Sequence, residues 1–396
     1  MPTPNQERPG DVWPNPTQQL LLQAALLPAE AARPAWQAWR AAVDPQRLDA
    51  GSHRLLPLLF RNLRACGLTD PSDPSLPYYK TVYRQTWYKN NTLFYQMSGV
   101  LTALRAAGLD TLVLKGAPLA IQYYQDIGLR PMTDFDLLVR TADMARAVTA
   151  LAEHGWHFED HAPIPPGYLD IQQAGTFVHA DGRHFDLHWH VLWDHTTPEA
   201  DFAFWEQAVP LEVQHLPTLA LGPTDQLLHV CVHGVRYDPT PPLRWLADAM
   251  QIFKQAEAQI DWARLVAQAE TRRLVLPLRD ALGLLDSLLH APIPAAALTA
   301  LRALPVSDQE RRYYRARLRR PGLLGYFPLE WERYQALASR ARERATLGGF
   351  GHYLRLSWRL GHPAELPGKA LRKAWRRLAD RARPPSGPRP PLTGPV

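Results

Sequence analysis

The chain has 396 residues, 46% of them hydrophobic, which allows a sizeable core and more than one domain and excludes a disordered chain. Its two cysteines, Cys66 and Cys231, exclude a disulfide framework and a thiolate metal motif, and fit a reducing, cytoplasmic setting. A net charge of +6 implies little about partners, although much of the surplus sits in 359–390, where a basic helix invites weak contact with an anionic surface or, more simply, faces solvent.

In chain order, residues 1–16 are rich in proline and polar groups and are expected to be flexible, with no signal-peptide pattern. Residues 17–108 form an N-terminal helical region. Within it, "DPSDPSLP" marks a break and 78–107 reads as one long amphipathic helix stopped by Gly108. The character then changes over 109–215. "TLVLK" is a short β-branched run, "APLAIQYYQ" is helical, and "FDLLV" is a strand. "TADMARAVTALAEHG" is a helix between a Thr141 cap and Gly155. "TFVHADGRHFDLHWHVLW" is a hairpin turning at Asp181-Gly182. Residues 222–383 are helical again, with an arginine-rich part, 303–350, that has no clear assignment. Residues 384–396 are expected to be disordered. No run of apolar residues is long enough to span a membrane. The expected class is α+β: a small mixed-sheet core flanked by helical regions.

Asp134 and Asp136 carry the chemistry of the core. Side chains two apart on a strand share a face, so the two carboxylates project together while Phe135 and Leu137 point into the core. Like charges held close raise the proton affinity of one of them, and a divalent cation relieves the repulsion. Mg²⁺ prefers such oxygen ligands together with substrate phosphates. A lone Asp-x-Asp also arises on solvent-facing strands. Upstream, however, Lys115 and Gly116 stand between a strand and a helix. A glycine there lets backbone approach an anion, and the helix start offers free N–H groups. The Gly-x-x-x-x-Gly-Lys loop is absent, so this is not a P-loop.

A strand, a glycine, a helix and then a strand with Asp-x-Asp resemble the nucleotidyltransferase superfamily of DNA polymerase β. Within it, "LKGAPLAIQYYQDIGLRPMTDFDLLV" is similar to a largely uncharacterised bacterial group, through Lys115, Gly116, Tyr124, Arg130, Asp134, Asp136 and Val139. The resemblance covers roughly 90–300. Where the superfamily has a second Gly or Ser, this chain has Ala117. The resemblance implies a nucleotidyltransferase core. A third carboxylate comes from a later strand, for which Asp186 is the candidate. Two Mg²⁺ (or Mn²⁺) ions, about 3.5–4 Å apart, would be held by Asp134, Asp136 and Asp186. Asp186 would serve as ligand or general base. Lys115, Gly116, Ala117 and Arg130 would contact nucleotide or phosphate, and His188 would orient Asp186 or contact phosphate. The substrates would be an NTP and an acceptor hydroxyl on a small molecule, RNA or protein.

Two other readings stay open. One is the same fold without turnover, acting as a nucleotide-binding scaffold. The other is a metal hydrolase centred on the strand His184–His190, whose alternate histidines share a face with Asp186. His229 and His233 lack the Glu of a His-Glu-x-x-His zinc motif. His233, Arg244 and Asp248 are candidates for helices packed over the cleft.

Overall fold

A computed structural model describes residues 12–159, 163–321, 325–362 and 364–372. The expected disordered tail and most of the basic stretch 359–390 lie outside the described residues, as do residues 1–11. Residues 12–16, expected to be loose, are instead held. Val12 and Trp13 are buried, and Asn15 closes a capping box with Gln18 at the start of helix Pro16–Leu26.

Helices Pro16–Leu26, Ala29–Ala42 and Leu56–Ala65 precede one long helix, Leu76–Ala106. That helix stops where expected, at Gly108, whose φ of 67° suits a left-handed cap. Among the described residues seven strands follow: β1 (Leu112–Leu114), β2 (Asp136–Leu138), β3 (Trp156–Phe158), β4 (Ala174–His179), β5 (His184–His188), β6 (Val209–Val213) and β7 (Leu216–Ala220). They form one mixed sheet in the order β3-β4-β5-β2-β1-β7-β6. β1 runs parallel to β7, β2 runs parallel to β5, and the remaining neighbours are antiparallel. The sheet thus continues past residue 215, the expected edge of the core, because β6 and β7 add to the free side of β1.

β1 and β2 are buried on both faces, as central strands are. Their side chains alternate between two cores. Leu112, Leu114 and Leu138 join the N-terminal helices and helices Pro223–Gly234, Arg244–Ala256 and Val275–Leu289. Val113, Leu137, Phe135, Phe185 and Leu187 join the opposite core, where the rings of Phe135 and Phe185 stack at 5.0 Å. The long helix contributes Tyr79 and Val82 to the first core and Phe94, Met97 and Leu101 to the second. Asp136 shares a face with Leu138 by strand alternation, so its carboxylate faces the helical side.

The arginine-rich region forms helices Asp308–Leu318, Phe327–Arg340 and Leu347–Ser357. Arg333 pins the second of these to the core. It is 1% exposed, donates to the carbonyls of Ile171 and Trp193, and lies over the Trp193 ring. Among the described residues no helix is long and apolar enough to cross a membrane.

Candidate active site

The parallel pairing of β2 with β5 puts Asp136 opposite Asp186 and Leu138 opposite His188. The β4–β5 hairpin turns at Gly182, whose φ is 88°, and returns Asp186 to the Asp136 strand as its sequence suggested. Ligand atoms of Asp136, Asp186 and His188 all lie within 4.8 Å of one another. The Thr176 hydroxyl, from β4, donates to Asp186 Oδ1 at 2.8 Å and orients that carboxylate.

His188, expected to orient Asp186 or to contact phosphate, lies with the acids. Its Nε2 is 3.0 Å from Asp136 Oδ1, and its Nδ1 is 3.3 Å from the carbonyl of His190. A carbonyl only accepts, so Nδ1 carries the proton. Nε2 then faces a carboxylate, which an imidazolium or a cation between them satisfies. A ring whose other nitrogen is held by a backbone carbonyl is the usual support of a metal-binding histidine. Two carboxylates with such an imidazole fit a divalent cation. The other strand histidines go elsewhere. His184 is exposed, and His190 Nδ1 binds Asp201 Oδ2 at 2.6 Å.

Lys115 also converges on Asp136, donating from Nζ to Oδ1 at 2.5 Å. Its backbone has φ 54° and ψ −113°, a region that suits glycine and costs a lysine about 1–3 kcal/mol. Burial works against the Asp136 charge, but Lys115 and then His188 hold its carboxyl well below the usual range. Asp134 precedes β2 and is half-buried. It stands outside the closest cluster, yet near enough that Asp136 and Asp186 add to burial in raising its pKa.

Gly116 and Ala117 are tightly fitted. A Cβ on Gly116 would lie 2.6 Å from both Arg130 Nη1 and Met132 Sδ, and the Ala117 methyl packs in the core beneath the sheet. Protein side chains alone therefore require a glycine here. Arg130 is 5% exposed and bidentate to Asp248 from helix Arg244–Ala256, with both bonds at 2.8 Å. The Tyr124 hydroxyl donates to the same Asp248 at 2.8 Å. Asn90, on the long helix, holds the loop by donating to the carbonyls of Ile127 and Arg130. Because Arg130 is pinned, Gly116→Ala is expected to cost about 1–3 kcal/mol, the scale of overpacking. Urea unfolding measures it, and an unchanged midpoint would show that Met132 yields freely.

Beyond Lys115 and Arg130 opens a cleft of about 730 Å³ between the sheet and the helices. Arg54, Arg236, Arg244, His229 and His233 line it, opposed by Asp238 and Asp248. Arg244 donates to the Pro131 carbonyl at 2.7 Å, while burial and Arg130 push its pKa down to about 10. Burial, then Arg317, lowers that of Arg236. Crowded, partly desolvated guanidiniums of this kind favour an anion.

The family described as an uncharacterised nucleotidyltransferase matches residues 49–290, more than half of the chain. The chain belongs to this nucleotidyltransferase family. No curated protein matches it. Among solved structures it is similar to an antigenic nucleotidyltransferase-like protein from Paracoccidioides brasiliensis. The identity is 14%, over 55% of this chain and 94% of that one, with a TM-score of 0.33. The family's stretch takes in the acids, the cleft and the helices above it.

Several lining residues of this nucleotidyltransferase-family protein have no signal in the sequence. Arg54 and Arg236 lie just past the ends of separate helices, and nothing local marks them. His229 and His233 are legible as an i, i+4 pair, and their surroundings give them a thermodynamic role. Burial, then Lys115 and His188, pushes His229 down to about 3, and burial with Arg236 pushes His233 well below its usual value. Both stay neutral in the fold but protonate below about pH 6.5 when unfolded. The unfolded chain then binds more protons, so stability falls as pH drops below that value. At pH 5 the His229 share is about 2 kcal/mol. The difference in unfolding free energy between wild type and His229→Asn should shift by that amount between pH 7.5 and 5. A pH-independent difference would contradict it.

Proposed function

We propose that this protein is a nucleotidyltransferase that uses Mg²⁺ or Mn²⁺ to move a nucleoside monophosphate from an NTP to an acceptor hydroxyl. The observation that carries the reading is the in-register Asp136–Asp186 pair, joined by His188, beside a cleft of guanidiniums. Asp136, Asp186 and His188 would hold the cation, with Asp134 completing its acidic surroundings. Such a cation supplies Lewis-acid polarisation of the α-phosphate. Asp186, oriented by Thr176, takes the proton of the acceptor hydroxyl as its oxygen bonds the α-phosphorus and the bond to the β-phosphate oxygen breaks. Arg244, Arg236 and Arg54 offset the charge gathering on pyrophosphate, with Arg130 fixed behind them. Lys115 moves between Asp136 and the incoming phosphates.

Two observations favour the scaffold reading: Lys115 already neutralises Asp136, and side chains fill the space at Gly116. The hydrolase reading is weakened by the histidines of β5, since only His188 reaches the acids.

Incubation with each labelled NTP, cell extract and Mg²⁺ or Mn²⁺ tests the proposal. Metal-dependent labelling with pyrophosphate release is expected, with Mn²⁺ the more effective ion because one ligand is an imidazole. Metal binding without any turnover would favour the scaffold.

A further inference from the structure

The arginine-rich region is absorbed neither by the acids nor by the cleft. Helix Asp308–Leu318 and the chain leaving it place Arg312, Arg315, Arg319 and Arg320 along a second, larger groove of about 1360 Å³. Its other wall carries Tyr326, Trp331 and Glu332. Glu332 is the one acid among these described lining residues, and it faces Arg312 at 3.5 Å. Arg315, Arg319 and Arg320 are exposed, and Tyr326 is 39% exposed. The groove and the cleft are linked by two neighbouring contacts. Tyr326 lies near enough to Arg236 for its phenol to act on that guanidinium, and Arg236 lines the cleft. The backbone N–H of the next residue, Tyr237, donates at 2.8 Å to the carbonyl of Arg317, on the groove's own helix.

A nucleoside triphosphate needs only the cations of the cleft. A second row of guanidiniums leading away from it calls for a substrate whose negative charge repeats along its length. The exposed Tyr326 beside such a row suits a stacked base. We propose that this groove binds single-stranded nucleic acid and leads its terminal hydroxyl to the acids, so that the acceptor is a polynucleotide. The acceptor assignment rests on the nucleotidyltransferase reading; the binding itself does not.

The probe is a fluorescein-labelled twelve-nucleotide oligoadenylate, as RNA and as DNA, read by anisotropy across a salt series with the full chain. Wild type should bind at least one of the two. The triple variant Arg315→Ala, Arg319→Ala, Arg320→Ala should weaken binding at least tenfold. It should also flatten the dependence of log K on log salt by about 2, at roughly 0.7 for each phosphate no longer neutralised. Tyr326→Ala should weaken binding by about fivefold or more without changing that slope. A thermal melt confirms that both variants fold. Absence of binding by both probes, binding indifferent to the triple substitution, or equal competition by an acidic peptide would overturn the groove. Binding is read without NTP, so its outcome is separate from turnover. If the oligonucleotide binds through the arginines yet another molecule in the extract takes the nucleotidyl group, the acceptor assignment falls. If nothing takes the group, the nucleotidyltransferase reading falls and the groove stands.

Discussion

Asp136→Asn is expected to lower nucleotidyl transfer by at least about 10²-fold, the scale of removing one preorganised electrostatic group. The substitution keeps shape and removes the charge on which Lys115 and His188 converge at 2.5 and 3.0 Å. A neutral amide is a poor ligand for a hard cation, and it cannot balance an imidazolium. The fold should survive, because the amide oxygen still accepts from Lys115, whose side chain is 25% exposed and regains water. Labelled-NTP turnover and a thermal melt on the same preparation check both halves. Near wild-type turnover in a folded variant would remove Asp136 from the chemistry.

The second large effect is on stability. Asp248→Ala should cost about 3–5 kcal/mol, because it leaves the buried Arg130 guanidinium without its partner. Both side chains are only 6% exposed, and the Tyr124 hydroxyl loses its acceptor in the same step. Burial disfavours the Arg130 charge, and Asp248, with Tyr124 and Asp136, more than restores it. Urea unfolding gives the loss directly. The double variant Arg130→Met, Asp248→Leu should recover much of it, since a buried pair replaced by apolar groups of similar volume is often neutral. It should not recover turnover, because Arg130 also forms the cleft wall. A loss below about 1 kcal/mol for Asp248→Ala would mean that water reaches Arg130.

This pair shows where sequence reading stops. Arg130 is legible as a candidate phosphate ligand and Asp248 as part of a helix over the cleft. Nothing local joins residues 118 apart, and the structure gives two of the arginine's nitrogens to the aspartate rather than to substrate. Tyr124 belongs to the matched pattern, and its bond to Asp248 supplies a physical reason for a tyrosine there. The Asp186 placement is legible because it rests on local rules. An Asp-Gly turn makes the hairpin, and strand alternation does the rest. Lys115 shows the opposite. Its spacing suggests phosphate, but a positive φ, invisible in the sequence, turns the side chain onto Asp136. β6 and β7 escape a sequence reading because Pro210 and Pro217 interrupt short strands, and proline lowers a strand's signal. Sheets tolerate it at edges, and β6 is one.

The central claim is that Asp136, Asp186 and His188 hold a divalent cation that brings an NTP to the cleft. Calorimetric titration of the wild-type protein with a non-hydrolysable NTP, with and without Mn²⁺, tests it most directly, alongside Asp186→Asn. The account predicts tight binding only when Mn²⁺ is present and loss of that metal-dependent gain in the variant. Equal affinity with and without metal, or a gain unchanged by Asp186→Asn, would contradict it.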